Sequence, residues 1–191
     1  MAEGEDEAIT MLVTPVWKDA RRLERFGTEL AAELARRDLP IDWVIADVGS
    51  GDEERRRLGE LRERFAAVYP RVRVHFADAH RGKGAVVREA WSLDPRAAWL
   101  AFADADGSVN AADMLGLVQH AWQSGRSTLA IRKNTETTRV DEDAWRWIRH
   151  HGFLTACHWI LGVKSDDTQC GAKVLKGEDF RRVAGRLVEP G

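Results

Sequence analysis

Four short apolar runs, 9–16, 41–46, 72–76 and 98–103, are each followed within a few residues by an aspartate: Asp19, Asp47, Asp78 and Asp104. A stretch that reads as a helix comes after each of them. Strands that alternate with helices are joined by crossovers, and crossovers make parallel neighbours. The pattern therefore predicts an α/β fold, a mostly parallel sheet with helices on both faces. In such a sheet the carboxyl ends of the strands share one rim, and ligands bind there. One acid at a strand end is an ordinary cap or turn residue. Four on one rim are better explained by a ligand with hydrogen-bond donors and phosphates.

The fourth run carries the most chemistry. Ala98–Ala103 meets Asp104-Ala105-Asp106-Gly107-Ser108. Side chains alternate along a strand, so Asp104 and Asp106 share a face if the extended geometry persists. Two carboxylates there suit a hard divalent cation that also holds phosphate oxygens. The same four residues Asp-x-Asp-Gly also make a common solvated turn, and the pattern alone does not separate the two readings. Upstream, His80-Arg81-Gly82-Lys83-Gly84 leads into a helix. Glycines, free backbone N–H groups and two cations together make an anion site. The spacing is not that of a P-loop.

The first helix starts near Asp19, with Leu23, Phe26, Leu30 and Leu34 on one face and Arg21, Arg22, Glu29 and Glu33 on the other. Asp19 also fits its N-cap. A second helix carries Leu58, Leu61 and Phe65, and another covers 111–123. Strand 127–131 ends at Arg132, a polar loop follows to residue 143, and a long helix spans 143–161 with Trp145, Trp147, Phe153 and Trp159. On that helix His150 and His151 are adjacent and cannot share a face, so with His158 they read as ordinary helix residues. A polar loop from Val163 runs into a strand through Val174 and Leu175, and an amphipathic piece covers 179–187.

A net charge of -2 leaves no general basic field for nucleic acid. Cys157 and Cys170 make neither a disulfide framework nor a zinc site, which fits a reduced, cytoplasmic setting. Residues 1–8 are acidic, unlike a signal peptide, and are expected to be disordered; 9–191 reads as one domain. No apolar run approaches the roughly 20 residues of a membrane span.

Five ordered motifs resemble the family 2 inverting glycosyltransferases of the GT-A fold, most closely the polyprenyl-phosphate (dolichyl-phosphate) glycosyltransferases of the glucosyl type. They are Val13-Thr14-Pro15-Val16-Trp17-Lys18-Asp19, Ala46-Asp47-Val48-Gly49-Ser50-Gly51-Asp52, Arg81-Gly82-Lys83-Gly84-Ala85-Val86-Val87-Arg88, Asp104 to Ser108, and Asp167-Thr168-Gln169-Cys170-Gly171-Ala172-Lys173. They span about residues 12–175 in order. Trp17 and Lys18 stand where the family has Tyr-Asn, Val48 replaces a second acid, and Ala172 replaces Phe. The first two departures point to altered base recognition. Relatives continue beyond Gly191 into another acidic motif and membrane-associated helices, so the sequence is expected to be a shortened chain or a short relative.

The resemblance implies metal-dependent transfer of a sugar from a nucleotide diphosphate, with inversion. UDP-glucose is the favoured donor and GDP-mannose the second. Pro15, Asp19, Asp47, Asp78, Arg81, Lys83 and Asp104 would hold the donor nucleotide. Asp104, Asp106 and Ser108 would hold Mg²⁺ or Mn²⁺. Arg132 and Arg146 would bind the phosphate of an acceptor, expected to be a polyprenyl phosphate at the inner face of a membrane. Asp167 would act as base or orient that acceptor, with Gln169 beside it. The competing readings are a nucleotidyltransferase, against which the Asp-Thr-Gln-Cys-Gly motif counts, and a nucleotide-sugar-binding module without turnover.

Overall fold

The structure, a computed structural model, describes residues 9–130 and 171–187. The chain divides into two compact units, 1–128 with 171–191, and 129–170. Nearly all the described residues belong to the first. Its elements follow the expected alternation. They are β1 (Thr10–Val16), α1 (Ala20–Arg37), β2 (Ile41–Asp47), α2 (Asp52–Ala66), β3 (Val72–Phe76), α3 (Lys83–Trp91), β4 (Trp99–Ala103), α4 (Ala111–Ser124), β5 (Thr128–Leu129), β6 (Ala172–Lys176) and α5 (Gly177–Ala184). Among the described residues no helix is long and apolar enough to cross a membrane.

The sheet order is β3-β2-β1-β4-β6-β5. β1 pairs in parallel with β2 on one side and β4 on the other, β2 with β3 in parallel, and β4 with β6 antiparallel. The chain thus builds outward from β1 through β2 to β3, then crosses back to place β4 on the other side. The crevice of an α/β sheet forms at such a reversal. Register sharpens it. β1 stays paired with β2 as far as Val16↔Asp47, but with β4 only to Val13↔Phe102. Pro15, which has no N–H to give, lies beyond that last β4 pair. The sheet opens between β1 and β4 at its carboxyl end.

All seven residues of β1 are buried, as a strand covered on both faces must be. Its buried hydroxyls are satisfied by tryptophans: Trp122 Nε1 donates to Thr10 Oγ1 and Trp43 Nε1 to Thr14 Oγ1, both at 3.0 Å. Trp91 Nε1 donates to the Ala101 carbonyl. These three tryptophans anchor core polar groups. α1 packs its Leu23, Phe26, Leu30 and Leu34 inward, as the periodicity predicts. On the other face Val86, Val87 and Trp91 of α3 and Phe180 of α5 close over Met11, Val13, Val44, Leu100 and Phe102.

The α1–α2 contact turns on Gly27. A Cβ there would lie 2.5 Å from Phe65 Cζ and 3.1 Å from Trp43. Phe65 is buried and stacks on Trp43 at 5.2 Å, so neither ring can step aside. We expect Gly27→Ala to lower stability by about 1 kcal/mol or more. Overpacking of about 1–3 kcal/mol outweighs the helix-propensity gain of about 0.5–1 kcal/mol. A shift of the urea midpoint to lower concentration, at unchanged slope, checks this.

Candidate active site

A cavity of about 300 Å³ occupies the opening between β1 and β4. Pro15, Val16 and Trp17 line it from the end of β1, and Asp19 from the start of α1. Val48 and His80 enter from the loops after β2 and β3. Lys83 enters from the first residue of α3, and Asp104, Ala105 and Asp106 from the turn after β4. The sheet topology therefore gathers four loops at one point, and their side chains are aromatic, acidic and cationic.

Asp104 is held closely. Its backbone N–H donates to the Gly171 carbonyl at 2.9 Å, continuing the β4–β6 ladder by one bond. A Cβ on Gly171 would come within 2.6 Å of Asp104 Oδ2, so only glycine leaves room for the carboxylate. The Lys83 ammonium donates to Oδ1. That ammonium also lies 4.8 Å from the centroid of Phe102.

Asp106 reaches the same cavity by a different route from the expected one. β4 ends at Ala103, and residues 104–107 turn, with Gly107 at φ +69°. Asp106 Oδ1 accepts from the Ser108 backbone N–H at 2.9 Å, which closes the turn. Both carboxylates line the cavity because of this turn, not because strand alternation continues. Ser108 contributes its N–H and is exposed outside the cavity wall.

Trp17 stood out in the sequence only as a departure from the family's Tyr-Asn, and His80 only as the first residue of the glycine-rich stretch; their meeting was not expected. The Trp17 and His80 rings lie 4.9 Å apart, tilted by 34°. Trp17 is 52% exposed, although it follows a buried strand. His80 Nδ1 is 2.8 Å from the Val48 carbonyl. A carbonyl only accepts, so Nδ1 carries a proton and donates to it. The loops after β2 and β3 are locked together here. A Cβ on Gly49, at φ +82°, would sit 2.7 Å from the His80 backbone nitrogen.

The other acids separate. Asp19 lines the cavity, makes no side-chain cap hydrogen bond and pairs with Arg22 at 3.3 Å. Glu54 of α2 accepts the Ala20 N–H at 2.6 Å, so a different acid serves the start of α1. Asp47 is fully buried and lies off the cavity wall. Its Oδ1 accepts from the Ser50 N–H at 3.0 Å and its Oδ2 from Arg55 Nε at 3.3 Å. Arg55 also donates to the Ala77 carbonyl, so this pair ties the β2 loop to the β3 loop. Asp78 and Arg81 are exposed and off the wall. Arg132, Arg146, Asp167 and Gln169 lie outside the described residues, as do the span 143–161 expected to be a long helix, its histidines and both cysteines.

Among the described residues no three His, Cys, Asp or Glu side chains converge as a metal cage. Asp104 and Asp106 instead offer hard oxygen donors on one wall. That set fits Mg²⁺ or Mn²⁺ when water and phosphate oxygens complete the shell.

No family model matches this chain, and no curated protein does. Solved structures do. A mannosyl-3-phosphoglycerate synthase from Rubrobacter xylanophilus is 18% identical at TM-score 0.65, over 91% of this chain and 54% of that one. A mannosyltransferase from Pyrobaculum calidifontis, solved with GDP-Man and Mn²⁺, is 14% identical at TM-score 0.61, over 91% and 46%. TarS from S. aureus, solved with UDP, is 14% identical at TM-score 0.56, over 95% and 50%. The chain thus shares the GT-A fold with them and spans about half the length of each.

Because Asp47 accepts two bonds in a buried setting, it contributes to stability. Asp47→Asn keeps the shape, loses the charge and turns an acceptor into a donor toward Ser50 N–H or Arg55. We expect a loss of about 1–3 kcal/mol, the cost of a broken hydrogen bond to a charged group. Urea unfolding of the two proteins checks it.

Proposed function

We propose that the β1–β4 crevice binds a nucleotide-diphosphate sugar and that the protein passes the sugar to an acceptor oxygen with inversion. The observation that carries this reading is the meeting of Trp17 and His80 with Lys83, Asp104 and Asp106 in one cavity. A nucleotide sugar asks for each part. Its base needs an aromatic surface, its ribose hydroxyls need acceptors, and its diphosphate needs cations. Trp17 and His80 supply the surface, Asp19 the acceptor, and Lys83 a positive charge beside the amino end of α3. Asp47 shapes the Val48–Gly51 turn from beneath.

In the transfer, an acceptor oxygen forms the new bond to the anomeric carbon from the side opposite the diphosphate. The bond from that carbon to the diphosphate oxygen breaks, and the nucleoside diphosphate leaves with the electron pair. A divalent cation at Asp104 and Asp106, when bound, neutralises charge that builds on that leaving group. The GT-A fold supports this reading, and so do the GDP-Man with Mn²⁺ and the UDP bound by two of the three neighbours named. UDP-glucose is our favoured donor and GDP-mannose the second. For the acceptor side the support is the motif resemblance. A polyprenyl phosphate is already ionised, so Asp167 and Gln169 would orient it more than deprotonate it, while Arg132 and Arg146 clamp its phosphate.

Calorimetry with UDP and GDP, with Mn²⁺ and in EDTA, tests the donor site. We expect nucleotide affinity to fall at least about tenfold in EDTA and likewise in Asp106→Ala with Mn²⁺, the loss of one good charged contact. Equal affinity in EDTA removes the metal from the reading. Incubation with UDP-glucose and a short polyprenyl phosphate should release UDP. Release of pyrophosphate instead means nucleotidyl transfer, and no product from any phosphate acceptor means a binding module. Asp167→Asn should keep nucleotide affinity and lose turnover by about 10².

A further inference from the structure

We propose that Lys83 and a divalent cation are alternative counter-ions of Asp104, so that the cation binds weakly until an anionic donor draws Lys83 away. This rests on the donor-site reading above and adds a coupling to it.

Asp104 is accessible on few sides. Its side chain is 24% exposed, and the Gly171 backbone covers Oδ2 so closely that a methyl group would not fit. Lys83 takes Oδ1. A metal bound to a carboxylate oxygen sits at about 2.0–2.2 Å, and an ammonium donor at about 2.7–2.9 Å. Both on one crowded carboxylate would bring two cations within a few ångströms of each other, with strong repulsion. One has to give way.

Lys83 is the one built to move. Its side chain is 51% exposed, and its ammonium reaches Asp104 across the ring of Phe102 on a flexible four-carbon stem. Its backbone begins α3, directly after Gly82 at φ +80°. A diphosphate placed against those first amides would offer Lys83 a second anion within reach. With Lys83 on phosphate, Asp104 is left for the cation. Without the diphosphate, Lys83 neutralises Asp104 and competes with the cation. The coupling is reciprocal: whatever the nucleotide adds to metal affinity, the metal adds to nucleotide affinity.

The test is Mn²⁺ binding, followed by the electron paramagnetic resonance of free Mn²⁺, with and without saturating UDP. Wild type, Lys83→Gln, Lys83→Arg and Asp104→Asn are compared. In wild type UDP should tighten Mn²⁺ binding. Lys83→Gln without nucleotide should bind Mn²⁺ roughly 5-fold or more tighter than wild type, and UDP should then add less. Lys83→Arg keeps a cation and should keep the weak nucleotide-free binding. Asp104→Asn should lose tight binding in both conditions. If UDP tightens Mn²⁺ binding in wild type, yet Lys83→Gln without nucleotide is no tighter than wild type, the coupling is overturned while the donor site stands. If wild type binds UDP or GDP but no Mn²⁺ in the presence of either, the coupling fails while the donor site stands without a metal; if it binds neither nucleotide, the donor-site reading fails and the coupling fails with it.

Discussion

β1 keeps its partner β2 to Val16 but loses β4 after Val13, and the candidate site depends on that difference. A fully buried central strand must have its backbone groups paired wherever it runs. Where one neighbour stops, the strand has to leave the sheet or face a ligand. Pro15 shortens the list of groups needing a partner at that point, and the chain exits through Trp17 and Lys18. The opening left behind is floored by β1 and walled by the turn after β4. The loops after β2 and β3 meet at the same end because their strands are parallel to β1.

The two most constrained acids of that end illustrate how one residue type serves opposite purposes. Asp47 is fully buried, and both its oxygens accept from the protein itself, Ser50 N–H and Arg55. A buried carboxylate without such partners would be costly, so its position and its bonds require each other. Asp104 lies on the cavity wall, pressed by Gly171 on one oxygen and met by the mobile-stemmed Lys83 on the other. Its partner is an exposed lysine on a flexible stem. The first arrangement holds two loops together, and the second sets a carboxylate on a cavity wall.

The same contrast shows where sequence reasoning reached and where it stopped. Strand and helix spans were readable because apolar periodicity is local: β2, β3 and α4 lie within a residue of the spans expected, and α1 starts within a residue of Asp19. The parallel class followed, since alternation leaves little other choice. The convergence of Asp104 and Asp106 was expected from strand alternation, whereas a turn closed by the Ser108 N–H produces it. A hydrogen bond between a side chain and a backbone two residues on outcompetes extended geometry once β4 has lost its pairing. The Trp17–His80 pair was missed because its members come from loops after different strands, joined only when Val48 O and the Gly49 backbone lock onto His80.

By itself, then, the sequence determined the order of elements, the α/β class and the set of acids and cations at the strand ends, because each depends on neighbours a few residues away. The tertiary structure decided which of those acids faces a cavity. Asp19, Asp47, Asp78 and Asp104 have equivalent places after a strand in the sequence. In the folded chain Asp19 and Asp104 line the crevice, Asp47 is sealed against Arg55, and Asp78 stands exposed off the wall. Exposure and pairing are set by what the sheet order brings alongside, as Gly171 is brought to Asp104 from far along the chain. No local pattern encodes that proximity.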